Sequence, residues 1–274
     1  MFRLSEIKLL PSRDALKAIP EGKILINTIN AHSFNVAQKD VLFAEALQKG
    51  DYLCPDGMSI VKACQWLKTP SCPKERIAGW DLFVCEMDKL NKKFETSTPN
   101  TQTTKRPNNQ TTKRPNDQTT KRPTPQKPVC MFVGSTENVL TLIRQRAANE
   151  YPNIQVVTLS PPFKPEFTDE DNRQIINAIN DANPDLLWIG MTAPKQEKWI
   201  YSQWQQLDIH CHAGTIGAVF DFYAGTVRRA PEFWQRHSLE WLHRLLSNPR
   251  RMWRRYILGN PLFIYYIIRE KIKG

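Results

Sequence analysis

The chain has little of what would mark an export or membrane-spanning protein. Its first residues, Met1-Phe2-Arg3-Leu4-Ser5-Glu6-Ile7-Lys8, lack the apolar core and small-residue cleavage site of a secretory leader. Its most apolar stretch, Tyr256–Ile268, is too short to cross a bilayer and is broken by Gly259-Asn260-Pro261. Six cysteines are present, but none falls in a metal-type CxxC spacing, and without an export signal they read as reduced thiols. His210-Cys211-His212 lacks a second ligand cluster, so it reads as a buried strand end and not as a zinc site. A Walker loop and a GxGxxG fingerprint are also missing, which removes two common nucleotide-binding readings.

What is present is charge that is unevenly distributed. The chain of 274 residues carries 38 Lys and Arg against 27 Asp and Glu. Positions 95–127 hold seven basic and two acidic side chains, and positions 228–274 hold eleven and three. The rest is close to neutral. The basic character therefore belongs to one insertion and one tail, which points to a polyanionic partner at the C-terminus and away from a nucleic-acid-binding body. No RRM, KH or zinc-finger pattern supports the nucleic-acid reading.

The insertion is an octad, Gln102-Thr-Thr-Lys-Arg-Pro-Asn-Asn109, repeated from Gln110 and again from Gln118. It has no large apolar residue and one proline in each of the first two copies, so it is expected to be a disordered or extended loop between a helix and a strand. A basic arm gripping phospholipid or nucleic acid is one reading of it; a tolerated repeat expansion is the other.

Elsewhere strand and helix signals alternate. Strands are expected at 23–29, 51–54, 129–133, 154–159, 186–189 and 209–212. Helices are expected at 36–48, 59–68, 80–94, 138–150, 169–182 and 195–206. This order predicts a Rossmann-like α/β domain, a mostly parallel sheet with helices on both faces, over residues 1–227. A basic, aromatic, helical C-terminal appendage is expected over 228–274.

The most informative residue is Asp56. Pro55 and Gly57 bracket it where a short apolar run hands over to an apolar-periodic segment, so a carboxylate stands at a strand end, where open α/β sheets bind ligands. It suits a general base, with Arg76 in Glu75-Arg76-Ile77-Ala78-Gly79 beside an anionic leaving group. A helix-capping Asp-Gly turn is the plainer alternative. Other strand ends, Thr28-Ile29-Asn30 and Gly134-Ser135-Thr136 among them, are expected to line the same crevice. Pro194 should start a helix with Lys195, Gln196 and Glu197 in its first turn, pointing at the crevice mouth. Asp221 either contacts a ligand or caps a helix. In the tail, Arg251, Arg254 and Arg255 share one face at helical spacing.

Seven segments occur in the order of one family: Thr28-Ile29-Asn30-Ala31, Pro55-Asp56-Gly57-Met58, Glu75–Gly79, Pro194-Lys195-Gln196-Glu197, Arg229-Ala230-Pro231, Leu239–Leu245 and Pro249–Tyr256. From about residue 5 to 265 the chain resembles the WecG/TagA/CpsF glycosyltransferases, glycosyltransferase family 26, the octad repeat being the departure. The resemblance implies inverting, metal-independent transfer of an N-acetylmannosamine-type sugar from a UDP donor. The acceptor it implies is a polyprenyl-diphosphate-linked N-acetylglucosamine at the cytoplasmic membrane face, in cell-surface polysaccharide synthesis. Residue by residue it places the base on Asp56 and its companions on Thr28, Arg76 and Gln196. Asn30, Gly134, Lys195, Glu197 and Asp221 follow as candidates for donor binding, and Arg251, Arg254 and Arg255 for the lipid diphosphate and an anionic membrane surface. No cofactor and no metal is implied, and no Asp-x-Asp pair falls in the main cleft segments. The resemblance leaves open a different UDP sugar (ManNAcA or glucose) and the oligomeric state. From a different class, a basic nucleic-acid-binding or membrane adaptor protein is the competing expectation.

Overall fold

In the computed structural model, which describes residues 1–97 and 126–273, six parallel strands form one sheet in the order β2-β1-β6-β5-β3-β4. The strands are β1 (Ile24–Ile29), β2 (Tyr52–Pro55), β3 (Val129–Gly134), β4 (Gln155–Leu159), β5 (Leu186–Gly190) and β6 (His212–Thr215). The helices of the α/β part are α1 (Arg13–Lys17), α2 (Ala31–Ala37), α3 (Val41–Lys49), α4 (Met58–Leu67), α5 (Gly79–Ser97), α6 (Glu137–Glu150), α7 (Asp169–Ala182), α8 (Lys195–Gln203) and α9 (Val219–Ala224). The central strands read as apolar runs because both faces are covered: all five residues of β5 are buried.

One face is packed by α5, α6 and α9 through Phe83, Met87, Leu140, Ile143 and Phe220. The other is packed by α7 and α8 through Ile175, Ile179, Trp199 and Ile200, and α3 lies against α8 on that side. The fold is thus the expected Rossmann-like α/β sheet. Strand β1 lies between β2 and β6, and the segments leaving β1 and β6 pass to opposite faces of the sheet. That divergence opens a crevice at the carboxyl end of β1.

Three boundaries differ from expectation for physical reasons. The single helix expected over 36–48 is two helices, because Asn30 caps α2 and Asp40 caps α3 by accepting from the Phe43 N–H. The helix expected to run to 206 is α8 followed by a 3-10 turn, Trp204–Gln206. The last strand is His212–Thr215 instead of 209–212. Its small residues are needed there: a methyl group on Gly214 would stand 2.3 Å from the Trp188 ring on β5. Cross-strand packing overrides the poor strand propensity of Ala213 and Gly214.

The C-terminal segment is helical: α10 (Glu232–Arg236), α11 (Glu240–Ser247), α12 (Pro249–Trp253), a π-helical turn (Arg254–Leu258) and α13 (Gly259–Lys273). Helix α13 docks on α2, where Phe263 meets Phe34 edge-on at 5.3 Å. Glu270, 3% exposed, accepts from the N–H groups of Leu4 and Ser5. No helix among the described residues is long and apolar enough to cross a membrane.

Candidate active site

The site is built from the turn that follows β2. The Asp56 N–H donates to the Ile29 carbonyl at 2.7 Å, so the turn is tied to the end of β1. Gly57 sits at φ +139°, a conformation closed to side chains, and it swings the chain from strand into α4. The Ile77 N–H donates to the Pro55 carbonyl at 2.9 Å, which draws the loop after α4 to the same strand end. Those three constraints set Arg76 beside Asp56.

Both residues line a cavity of about 750 Å³ whose far wall is the C-terminal segment. The charged end holds Asp56, Arg76, Lys62, Glu240, Arg244 and Arg255. The apolar end runs between α4 and α13, past Ala63, Trp66, Phe263, Ile264 and Ile268. Arg76 donates to Glu240 at 2.8 Å, with both side chains less than a fifth exposed.

Burial pushes the Asp56 carboxyl above its ordinary range, and Glu240 pushes the same way; Arg244, Arg255 and Arg76 oppose the shift without cancelling it. A raised carboxylate beside several cations is a group that gains by taking up a proton. His32, on the same wall, is held down to about 4 by burial and by Arg255, so it is neutral at physiological pH. Among the described residues there is no group of three or more His, Cys, Asp or Glu that could hold a metal.

The other expected site residues divide. Asn30 lines the cavity, but its side-chain carbonyl accepts from His32 and Ser33 as the cap of α2. Thr28 is half-buried on β1, paired in register with Cys54. Gln196 and Glu197 are not in an exposed first turn. They are 3% and 1% exposed: the Gln196 amide packs against Gly217, just past the carboxyl end of β6, and donates to Glu197 at 2.8 Å. Burial lifts Glu197 to about 7. Lys195 turns to the 160–168 loop, its ammonium 3.5 Å from the Phe167 ring centroid and bonded to the Lys164 carbonyl. Gly134, at φ +127°, lets the end of β3 approach the Gly190 carbonyl on β5. Asp221 lies in α9 and is within reach of the Thr226 hydroxyl.

In the tail the two described arginine side chains, those of Arg254 and Arg255, separate. Arg255 reaches the cavity and Arg254 is exposed beside Trp253; the Arg251 side chain lies outside the described residues. Adjacent residues of a helix point about 100° apart, so at the start of the π-helical turn Arg255 faces the cavity while Arg254 faces outward. Cavity residues not singled out from the sequence include His32, Lys62, Glu240 and Arg244. The signal for the last two was a carboxylate and a guanidinium at i, i+4 on the amphipathic helix α11.

The motifs that meet here are those of a known family. The model of the "Glycosyl transferase WecG/TagA/CpsF family" matches residues 5–97 and 117–274. The chain belongs to the WecG/TagA/CpsF glycosyltransferase family. The match omits 98–116, most of the first two octads. Three similar proteins bear the name N-acetylglucosaminyldiphosphoundecaprenol N-acetyl-beta-D-mannosaminyltransferase. One from Bacillus spizizenii is 27% identical over 86% of this chain and 75% of its own length. One from Bacillus subtilis is 26% identical over 90% and 80%, and one from Staphylococcus aureus strain MW2 is 25% identical over 92% and 82%. The WecG/TagA/CpsF match makes the chain an enzyme, and the Asp56 cavity is its candidate active site.

Proposed function

We propose that this enzyme transfers an N-acetylmannosamine-type sugar, with inversion and without a metal, from a UDP donor to polyprenyl-diphosphate-linked N-acetylglucosamine. The observation that carries the reading is the two-ended cavity. Arginines and a lysine gather at the end beside Asp56, as a diphosphate requires, and the other end is an apolar channel suited to a prenyl chain. The names of the three relatives supply the sugar and the acceptor class.

In this reading Asp56 takes the proton from an acceptor hydroxyl as its oxygen attacks the anomeric carbon. The bond from that carbon to the UDP oxygen breaks in line, which inverts the configuration in one step. Charge growing on the departing diphosphate is offset by guanidinium groups, Arg76, Arg244 and Arg255 all bearing on Asp56. Thr28 and Gln196 orient the donor sugar, and the close backbone approach at Gly134 gives the donor a place at the neighbouring strand ends. Asn30, Lys195, Glu197 and Asp221 stand as donor-side candidates. Arg251, Arg254 and Arg255 remain the candidates for the lipid diphosphate.

The exposed face of α13, with Ile264, Tyr265, Ile268 and Ile272 beside Arg269, Lys271 and Lys273, would rest on an anionic membrane surface at its cytoplasmic side. Residues 228–274 would then act as the membrane- and acceptor-binding appendage of a 1–227 catalytic domain that carries the 95–127 insertion.

The deciding experiment incubates purified protein with synthetic polyprenyl-diphosphate-GlcNAc and a panel of UDP sugars in EDTA. Turnover of UDP-ManNAc is the expected result. Turnover of a different UDP sugar would move the assignment to that donor, and strict metal dependence would remove the mechanism. Deleting 96–126 should leave transfer intact.

A further inference from the structure

The stretch from Glu232 to Leu258 is held differently from the rest of the chain. Neither α10, α11 nor the π-helical turn contains a fully buried residue. Farther on, α13 is anchored by Phe263, Ile267 and Glu270. Before it, Ala230 is buried. Between those anchors the segment forms the outer wall of the Asp56 cavity and meets the body through partly exposed contacts, Arg244 over the Phe222 ring of α9 among them. The contact that crosses at the catalytic end is the 2.8 Å pair of Glu240 with Arg76.

We infer that Glu240 is a positioning residue: by binding Arg76 it latches the C-terminal segment over the cavity and orients the guanidinium beside Asp56. A guanidinium offers five N–H donors, so the Glu240 bond on Nη2 leaves others for a phosphate. Closure of the wall and orientation of Arg76 are thereby one event. A pair less than a fifth exposed is screened less than a surface pair, yet its polar setting leaves it able to open. The charges on the wall itself are Arg244 and Arg255, and those facing it from the body include Lys62, Arg76 and Asp56, so the wall needs a carboxylate to balance them.

The test uses the full chain with Glu240→Gln and Glu240→Asp. Limited trypsin digestion read by mass spectrometry reports on the wall through cleavage after Arg236, Arg244 and Arg250. Loss of about 1 kcal/mol of latch should speed cleavage there about fivefold in Glu240→Gln, while global melting stays unchanged. Transfer kinetics should show a KM for the lipid-linked acceptor raised about tenfold and a smaller change in kcat. The acid limb of the pH profile should move to lower pH, because Asp56 loses a like charge. Glu240→Asp should recover part of each effect. Wild-type digestion rates in Glu240→Gln would overturn the latch, as would a fall in kcat alone with an unchanged KM and pH profile. This rests on the proposed acceptor reading only in its kinetic arm: if the wild type transfers nothing to that acceptor, the functional reading fails while digestion still decides the latch.

Discussion

The backbone N–H of Asp56 donates to the carbonyl of Ile29 across the gap between β2 and β1, at 2.7 Å. The carboxylate is therefore carried by a turn fixed to two parallel strands, and replacing the side chain alone leaves that bond in place. Because burial raises the Asp56 carboxyl above its unfolded value, the ionised group costs the folded state some stability at neutral pH. Asp56→Asn should leave the melting temperature equal or higher, while transfer falls about 10²- to 10⁴-fold. Calorimetry and initial rates on one preparation check both. In the wild type, rates should fall as pH drops through a point above the usual carboxylate range.

Arg255 and Arg254 are neighbours in sequence with different surroundings. Arg255 lines the cavity and bears on both Asp56 and His32, whereas Arg254 is exposed. A charge-assisted bond to a buried anion contributes about 1.5–3 kcal/mol, so Arg255→Ala should raise the acceptor KM roughly tenfold or more. Arg254→Ala should change it by less than about threefold with a detergent-soluble acceptor, as for an exposed charge. Equal effects would refute the division between an inward Arg255 and an outward Arg254.

At the opposite end of the sheet, His212 lies between Glu86, 2.7 Å from Nδ1, and the Pro20 carbonyl, 2.7 Å from Nε2. Both partners accept, so both ring nitrogens must carry protons for both bonds to form. Burial works against that charge, but the bonds to Glu86 and Pro20 outweigh it, and the pKa of His212 is raised. Its stabilisation is therefore complete below the ordinary imidazole value and lost as pH rises through the higher folded value. His212→Gln should cost on the order of 2 kcal/mol at pH 6, and less at pH 9. Denaturant midpoints of the two proteins at both pH values measure it.

Gly134 has its own consequence. A methyl group there would lie 2.4 Å from the Gly190 oxygen, at a backbone φ of +127°. Gly134→Ala should lower stability by about 2 kcal/mol or more and separate the ends of β3 and β5. A denaturant midpoint indistinguishable from that of the wild type would show that the two strand ends are not pressed together there.

The α/β order, the strand-end carboxylate and the family were legible in the sequence because each rests on local pattern. Buried parallel strands read as apolar runs, and Pro55-Asp56-Gly57 dictates a turn whatever surrounds it. Helix α7 matches its expected bounds because Thr168 and Asp171 form a capping box at its start, and Asn183 ends it in the left-handed conformation. The last strand was misplaced because its small residues are explained only by the Trp188 ring next door.

What only tertiary structure decided is which charges meet. Arg76 and Glu240 are 164 positions apart, and no local spacing relates them. Gln196 and Glu197 follow a proline in what reads as an exposed first turn, yet the docking of α8 folds both inward. Arg254 and Arg255 look equivalent in sequence, yet only Arg255 lines the cavity and Arg254 is exposed. The sequence by itself determined that this chain carries a carboxylate at a strand end and a basic aromatic tail. Folding determined that the tail closes over that carboxylate, because α13 finds its apolar partner in α2, beside β1.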